Sequence, residues 1–290
     1  MSQVRDYSRS VLECESERRR LLLLMVLDRM FRLVYRVKRM DLSDLVSACS
    51  MEYDLILPLQ GTDLYIVKGR ERKPCFVYVS DLSTFVYCRR KFYLSYSIHK
   101  VLDRIRHGKI RQLLRRYRTL LEDGACIMDR ESLRRVLAGQ YIHRSIRNGI
   151  SFTMLEQEGI RVEVEIIDLD MGLIGHIDIL EQTSRDTANI YEVKTGLYRQ
   201  IPLHYKVQVL AYKYLTEKDL GLRVEHTYIA YPSKEGKYIH EVRQEEERID
   251  VVQLLREARR TLLENEIPRP PEDLRKCEKC GFRKVCLYID

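Results

Sequence analysis

The chain has 290 residues, 45% of them hydrophobic and 32% charged, and its 51 Lys and Arg against 43 Asp and Glu leave a net charge of +8. That length allows one large domain or two ordinary ones with a buried core. The composition excludes a membrane-embedded chain, and eight cysteines without a secretion signal point to metal ligation in a reducing compartment, not to a disulfide framework.

The charge is unevenly spread. Residues 1–88 carry 14 basic against 12 acidic side chains (+2), residues 89–147 carry 16 against 5 (+11), and residues 148–290 carry 21 against 26 (−5). A surplus gathered in one block suits contact with a polyanion, and is also what a solvated Arg-rich helical face looks like.

Arg18-Arg19-Arg20 followed by Leu21–Leu27 has the outline of a signal peptide, but Asp28 and Arg29 end the apolar run after seven residues and no small-residue cleavage site follows. So short a run does not span a bilayer, and the expectation is a cytoplasmic protein. Residues 16–40 favour helix, with Arg29, Arg32, Arg36 and Arg39 forming a stripe beside Met30, Phe31, Val34 and Val37. Tyr53–Leu59 and Thr62–Val67, flanking Gln60-Gly61, predict a β-hairpin, and Lys68–Pro74 a charged connector.

Ser80 and Asp81 are N-cap candidates for a helix running through Tyr87-Cys88-Arg89-Arg90-Lys91-Phe92-Tyr93-Leu94. A basic helical stretch continues to about Leu121, with Gly108 as a break. Glu131–Ile146 is a further helix, with Leu133, Val136, Leu137 and Ile142 spaced for one buried face. Three strands then come in close order. Arg161–Asp168 sets Val162, Val164 and Ile166 on one side and Glu163 and Glu165 on the other; Leu173–Leu180 follows, then Ala188–Lys194, ending at Thr195-Gly196. A helix at Leu203–Thr216, a strand at Val224–Tyr231 and a charged helix at Ile249–Asn265 lead to a stop at Pro268–Pro271. Helix, three meandering strands, helix and strand make an α/β core.

Asp178 lies on the second of these strands, and Glu192 and Lys194, two apart on the third, share a face. Two carboxylates and a lysine are what metal-dependent phosphodiester hydrolysis needs. The carboxylates hold Mg²⁺ or Mn²⁺, which polarises the phosphate and lowers the pKa of a bound water, and the lysine orients that water or stabilises charge on the phosphoryl oxygens. Taken alone, a Glu-x-Lys triplet is usually a cross-strand ion pair. His143, in Gly139-Gln140-Tyr141-Ile142-His143 on the preceding helix, is a normal third ligand beside two carboxylates; a lone helical histidine is also commonly structural. Gln208 and Tyr212 lie one turn apart and share a face suited to substrate phosphate or base.

Cys277, Cys280 and Cys286 form Cys-x₂-Cys-x₅-Cys, and three thiols need a fourth ligand, for which Cys88 is the candidate 189 residues upstream. Three clustered thiols and one remote thiol suit an iron–sulfur cluster, 4Fe–4S or else 2Fe–2S, whereas structural zinc usually joins two close pairs. Zinc remains the alternative. Cys14, Cys49, Cys75 and Cys126 are left as small buried or incidental thiols.

With His143, Asp178, Glu192-x-Lys194, Gln208-x-x-x-Tyr212 and Cys-x₂-Cys-x₅-Cys in this order, the chain resembles the RecB-like branch of the PD-(D/E)xK nuclease superfamily over roughly Val79–Leu287. More closely, it resembles the CRISPR-associated exonuclease family of the Cas-four type. The resemblance implies a PD-(D/E)xK (restriction-endonuclease-like) α/β core with a helical basic insertion and a C-terminal iron–sulfur segment. That nuclease domain would occupy residues 76–290, behind a helix-plus-hairpin accessory region at 1–75. It implies His143, Asp178 and Glu192 as Mn²⁺ or Mg²⁺ ligands, with the Val193 carbonyl a fourth, Lys194 as catalytic lysine, and Gln208 and Tyr212 as substrate-side residues. Cys88, Cys277, Cys280 and Cys286 would bind the cluster, whose work would be to pin the tail against the Cys88 helix.

The implied activity is exonucleolytic cleavage of single-stranded DNA or strand ends, in the trimming of spacer precursors beside CRISPR integrase proteins, with no membrane partner. A DNA-binding iron–sulfur subunit with a weak or unused site is one alternative, and a RecB-like nuclease of repair or viral origin another; a homo-oligomer stays open. The chain departs from the family pattern in having Arg89 after Cys88, where Pro is frequent, and in residues 1–75, which have no counterpart there.

Overall fold

The computed structural model of the protein describes residues 2–49, 53–69, 76–147, 152–194, 200–233, 236–243, 248–264, 266–278 and 280–289. Cys75, Thr195-Gly196, Asn265 and most of the Lys68–Pro74 connector lie outside the described residues, as does the side chain of Cys14.

Helix α1 (Ser2–Val37) begins earlier than residues 16–40 predict. Met30, Phe31, Val34 and Val37 are buried, and Arg29, Arg32, Arg36 and Arg39 face outward, as an amphipathic stripe requires. After α2 (Leu42–Cys49), strands β1 (Tyr53–Pro58) and β2 (Leu64–Gly69) form the expected antiparallel hairpin. Gly61, at φ +73°, supplies the left-handed residue its turn needs.

Strand β3 (Val77–Tyr78) leads into α3 (Val79–Tyr87) and α4 (Arg89–Ser97). The single helix predicted through Leu94 is therefore two. Cys88 is extended between them (φ −162°, ψ 108°), and its sulfur accepts the Lys91 N–H at 3.3 Å, so the cysteine itself caps α4. Ser80 and Asp81 fall inside the first turn of α3 and do not cap it; Asp81 accepts a hydrogen bond from Tyr96 Oη at 2.6 Å instead.

The basic stretch is likewise broken, into a 3₁₀ segment (Ile98–Arg104), α5 (Gly108–Arg115), capped by the His107 ring, and α6 (Arg118–Glu122). The interruption falls just before Gly108 because Ile105 leaves the helix to bridge with Ile289. Strand β4 (Cys126–Asp129), too short to carry a periodic signal, adds to the hairpin through β2 and completes a three-stranded sheet.

Helices α7 (Arg130–Arg147) and α8 (Phe152–Gln157) precede β5 (Ile160–Asp168), β6 (Leu173–Gln182) and β7 (Thr187–Val193), an antiparallel meander. Helix α9 (Leu203–Asp219) then crosses over, so that β8 (Arg223–Ser233) pairs parallel to β7, and β9 (Gly236–Glu241) adds an antiparallel edge. Helix α10 (Val251–Leu263) and the short helices α11 (Arg275–Glu278) and α12 (Arg283–Cys286) end the order.

The six-stranded sheet runs β3-β6-β7-β8-β9, with β5 on the other edge of β6. One face is covered by α3, α9 and α10, where Leu82, Phe85, Leu210 and Leu255 meet Ile177 and Ile190. The other is covered by α1, α2 and α7, where Leu27, Leu45 and Leu137 meet Ile160, Ile179 and Tyr191. The N-terminal helices thus share a core with the central strands. A third core joins the hairpin turn, the basic block and the C-terminal tail through Leu64, Leu94, Leu102, Leu121, Phe282 and Val285. Among the described residues, no helix is long and apolar enough to cross a membrane.

Candidate active site

Three neighbouring strands each contribute one carboxylate to a single row. The β5–β6 register pairs Val162 with Ile179 and Val164 with Ile177, which leaves Glu163 facing Asp178. One step beyond the Ile179–Tyr191 pair, the β6–β7 register brings Asp178 beside Glu192. The edge of β6 facing β7 is engaged by β3 only at Leu173–Ile174 and by β7 only at Ile179–Gln182, so it opens at Asp178. In that opening, Asp178 Oδ2 accepts the Val193 N–H at 2.6 Å.

Glu163 sits at φ +55°, a left-handed backbone that strains a residue with a side chain. There the strand turns over. Val162 packs with the α1/α7 core, while Val164 and Ile166 pack with the α9 core. The even alternation predicted through Val162, Val164 and Ile166 therefore fails at Glu163, because the backbone twists to aim that carboxylate into the site. Glu165 takes no part; it lies 3.5 Å from His176 on the exposed surface.

Helix α7 delivers His143 to the row. Its Nδ1 is 2.7 Å from Glu163 Oε1 and 3.4 Å from Asp178 Oδ1, and one ligand atom from each of the three lies within 4.8 Å of the others. The two carboxylate side chains are buried, whereas the imidazole is 43% exposed. Burial and the charges of Glu192 and Glu163 push the Asp178 carboxyl well above its usual range, against the pull of His143 and the Val193 N–H. Burial disfavours the charged imidazole of His143, but the charge of Asp178 and the hydrogen bond and charge of Glu163 outweigh it and raise His143 to about 9.

On the α9 side, Glu192 Oε1 accepts from Lys194 Nζ at 2.6 Å and from Gln208 Nε2 at 2.8 Å. Lys194 also donates to Gln208 Oε1 at 2.7 Å, and Gln208 Nε2 to Tyr212 Oη at 3.0 Å. The Lys194 ammonium sits 4.6 Å from the centroid of the Tyr205 ring. Burial, with Glu192 and Asp178, lifts the Tyr212 phenol well above its usual range and keeps it neutral.

The structure thus gathers His143, Asp178, Glu192, Val193, Lys194, Gln208 and Tyr212 at one place. The contact it gives Val193 runs through the N–H, not the carbonyl. Of the two carboxylates that precede Asp178 on β5, Glu163 and Glu165, it brings Glu163 to the row, and it adds Tyr205, which belongs to no motif. Glu163 carried a usable signal: Asp168 and Leu173 pair across the turn, and counting five residues away from each reaches Glu163 and Asp178.

The donor set fits a divalent cation. Clustered carboxylates repel one another until a cation neutralises them, and Glu192 Oε2 is buried with no hydrogen-bond partner among the described residues. Oxygen donors with one imidazole suit Mg²⁺ or Mn²⁺.

The remaining candidates converge elsewhere. Cys88, Cys277 and Cys280 are electrostatic neighbours, as are Cys286, Cys280 and Cys88. Burial raises the thiols of Cys280 and Cys286, while Arg90 works to lower that of Cys286. Arg90 donates to the carbonyls of Ile289 (2.8 Å), Cys286 and Pro268 (both 3.4 Å), and Tyr87 Oη donates to the Lys276 carbonyl at 2.9 Å. Cys49 and Cys126 stand apart, Cys49 buried against the Leu137 carbonyl.

The family model described as the PD-(D/E)XK nuclease superfamily matches residues 97–287, well over half of the chain. No curated protein gives a significant match. A solved structure described as the crystal structure of SSO0001 is similar at 17% sequence identity and a TM-score of 0.41, over 76% of this chain and 89% of that chain.

Proposed function

The chain belongs to the PD-(D/E)XK nuclease superfamily, and from that premise we propose that the carboxylate row is the centre of a metal-dependent deoxyribonuclease acting on single-stranded DNA or strand ends. The observation that carries this reading is the juxtaposition of Glu163, Asp178 and Glu192 on adjacent strands, with His143 on one side and Lys194 on the other. His143, Glu163 and Asp178, with Glu192 beside them, are the residues to hold Mn²⁺ or Mg²⁺. Such an ion supplies polarisation of the scissile phosphate and a more acidic bound water.

The chain's own residues do the rest. Glu192 and Gln208 fix the Lys194 ammonium, and the Tyr205 ring lies over it, so that its charge is aimed without reorganisation at a phosphate lying against the row. Lys194 neutralises charge gathering on the phosphoryl oxygens and orients the attacking water. Tyr212 holds Gln208 in register as a neutral hydrogen-bond partner.

Cys88, Cys277, Cys280 and Cys286 are proposed to hold an iron–sulfur cluster of the 4Fe–4S type. Three clustered thiols and one remote thiol suit such a cluster better than structural zinc, which usually joins two close pairs. By the family resemblance, the activity is exonucleolytic trimming of spacer precursors in CRISPR adaptation, beside integrase proteins.

The test is cleavage of end-labelled single-stranded DNA with Mn²⁺ by protein purified without oxygen, wild type against Lys194→Ala. Loss of cutting with binding retained is expected. Equal cutting by the two proteins sinks the active-site assignment, and a colourless, zinc-loaded protein sinks the cluster.

A further inference from the structure

A cavity of ≈ 930 Å³ opens between the β1–β2 turn, α5 and α12, and shares no lining residue with the carboxylate row. Its walls come from three distant stretches of chain, and the Lys284–Asp63 ion pair, at 2.6 Å, ties two of them together. It is the hairpin of residues 53–69, the part without a counterpart in the family pattern, that supplies one wall.

The cations of this region divide sharply. Arg115 and Arg118 share Asp103, whose carboxylate offsets one of their two charges. Lys109 and Arg116, which line the cavity, are exposed and have no acidic partner among the described residues. Between them on the same wall lie Ile110 and Leu113, both partly exposed. Unmatched cations interleaved with apolar side chains in a concave cleft match a chain that alternates phosphates and bases. A duplex would keep its bases stacked inside and leave the apolar wall unused.

We propose that this cleft binds a stretch of single-stranded DNA remote from the scissile bond, with its phosphates on Lys109 and Arg116 and its bases against Ile110 and Leu113. The proposal rests on the nuclease reading and deepens it, by giving the hairpin and α5 the task of gripping the strand outside the catalytic row.

The experiment measures binding of a fluorescent single strand by anisotropy in EDTA, where no cleavage occurs, over a range of salt. Lys109→Glu/Arg116→Glu is compared with Lys218→Glu/Arg256→Glu, which changes charge equally at exposed sites outside the cleft. The cleft variant is expected to bind at least tenfold more weakly, with the slope of log affinity against log salt shallower by about 1.4, two phosphate contacts at about 0.7 each. Unlabelled single strand should displace the probe far better than duplex or polyglutamate.

Equal weakening in both double variants, no weakening in either, or displacement by polyglutamate as efficient as by the strand each overturns the proposal. Melting curves check the fold, and Lys109→Gln/Arg116→Gln replaces the charge reversal if that variant melts early. A Lys194→Ala protein that still cuts would sink the nuclease site and leave this binding result standing, so the two failures are told apart.

Discussion

Glu163 stands opposite Asp178 across β5 and β6, and the same carboxylate hydrogen-bonds His143 at 2.7 Å. The pairing sets three acidic groups side by side, which repel in the absence of a cation. Glu163→Gln relieves that repulsion but also removes the charge paired with His143, so the melting temperature of the metal-free protein is expected to change little. The substitution should abolish most of the melting shift produced by Mn²⁺. Thermal denaturation with and without Mn²⁺ checks both, and an undiminished metal shift would remove Glu163 from the site.

The raised pKa of His143, about 9, has a sign that can be followed. A histidine whose folded pKa exceeds its unfolded value of about 6.5 adds stability below the unfolded pKa and loses it as pH rises through the folded one. The raised Asp178 carboxyl acts in the same direction, since its ionisation in the fold is opposed. In chelator, the melting temperature is expected to fall between pH 7 and 9.5, and His143→Gln should flatten that fall. Metal binding must displace the imidazole proton, so calorimetry in buffers of different ionisation enthalpy should show proton release at pH 7.

Tyr205 lies under the Lys194 ammonium at 4.6 Å and also contacts His204, whose ring meets Tyr87 beside Cys88. Burial, then the charges of Lys194, Lys91 and Lys276, lower His204 to about 4, so a neutral ring fills this position. Tyr205→Phe keeps the π-face and is expected to retain most of kcat. Tyr205→Ala should lower kcat by roughly 2- to 30-fold, the range for a cation–π contact of about 0.5–2 kcal/mol. Equal loss in Phe and Ala would assign the role to the hydroxyl.

Arg90 is buried and spends its guanidinium on three carbonyls of the C-terminal segment. Arg90→Met is expected to cost about 2–3 kcal/mol, a drop of roughly 3–5 °C in melting temperature, and to bleach the visible absorbance of the proposed cluster. Cys88→Ala should do the same, and a folded, coloured, fully active Cys88→Ala protein would contradict the stapling role. Gly281 has its own constraint: a Cβ there would lie 2.7 Å from Ser132 Cβ, at the start of α7. Gly281→Ala should destabilise, and Ser132→Gly should restore part of the loss.

The central meander was legible because Val- and Ile-rich runs separated by turn residues carry a strong local signal, and β5, β6 and β7 fall within two residues of their predicted ends. The site residues on β7 and α9 follow from spacing on regular elements. What local pattern could not carry was the reversal at Glu163, since an uninterrupted alternation conceals a backbone residue at φ +55° held there by its neighbours. Nor could it carry β4, whose four residues become a strand only because β2 lies alongside. Cys88 breaks a helix that every local propensity favours. Its extended backbone lets the sulfur cap α4 and places it among the electrostatic neighbours of Cys280 and Cys286.

The bridge between Ile105 and Ile289, with the Arg106 N–H donating to the Tyr288 carbonyl at 2.7 Å, has a consequence for biosynthesis. Leu102, Leu114 and Leu121 emerge from the ribosome well over a hundred residues before Phe282, Val285 and Ile289, the side chains that cover them. Domains that complete from their N-terminal side can fold while being made; this third core cannot. Until residues 282–289 are synthesised, Leu102, Leu114 and Leu121 lack that cover, and the exposed apolar surface is open to aggregation.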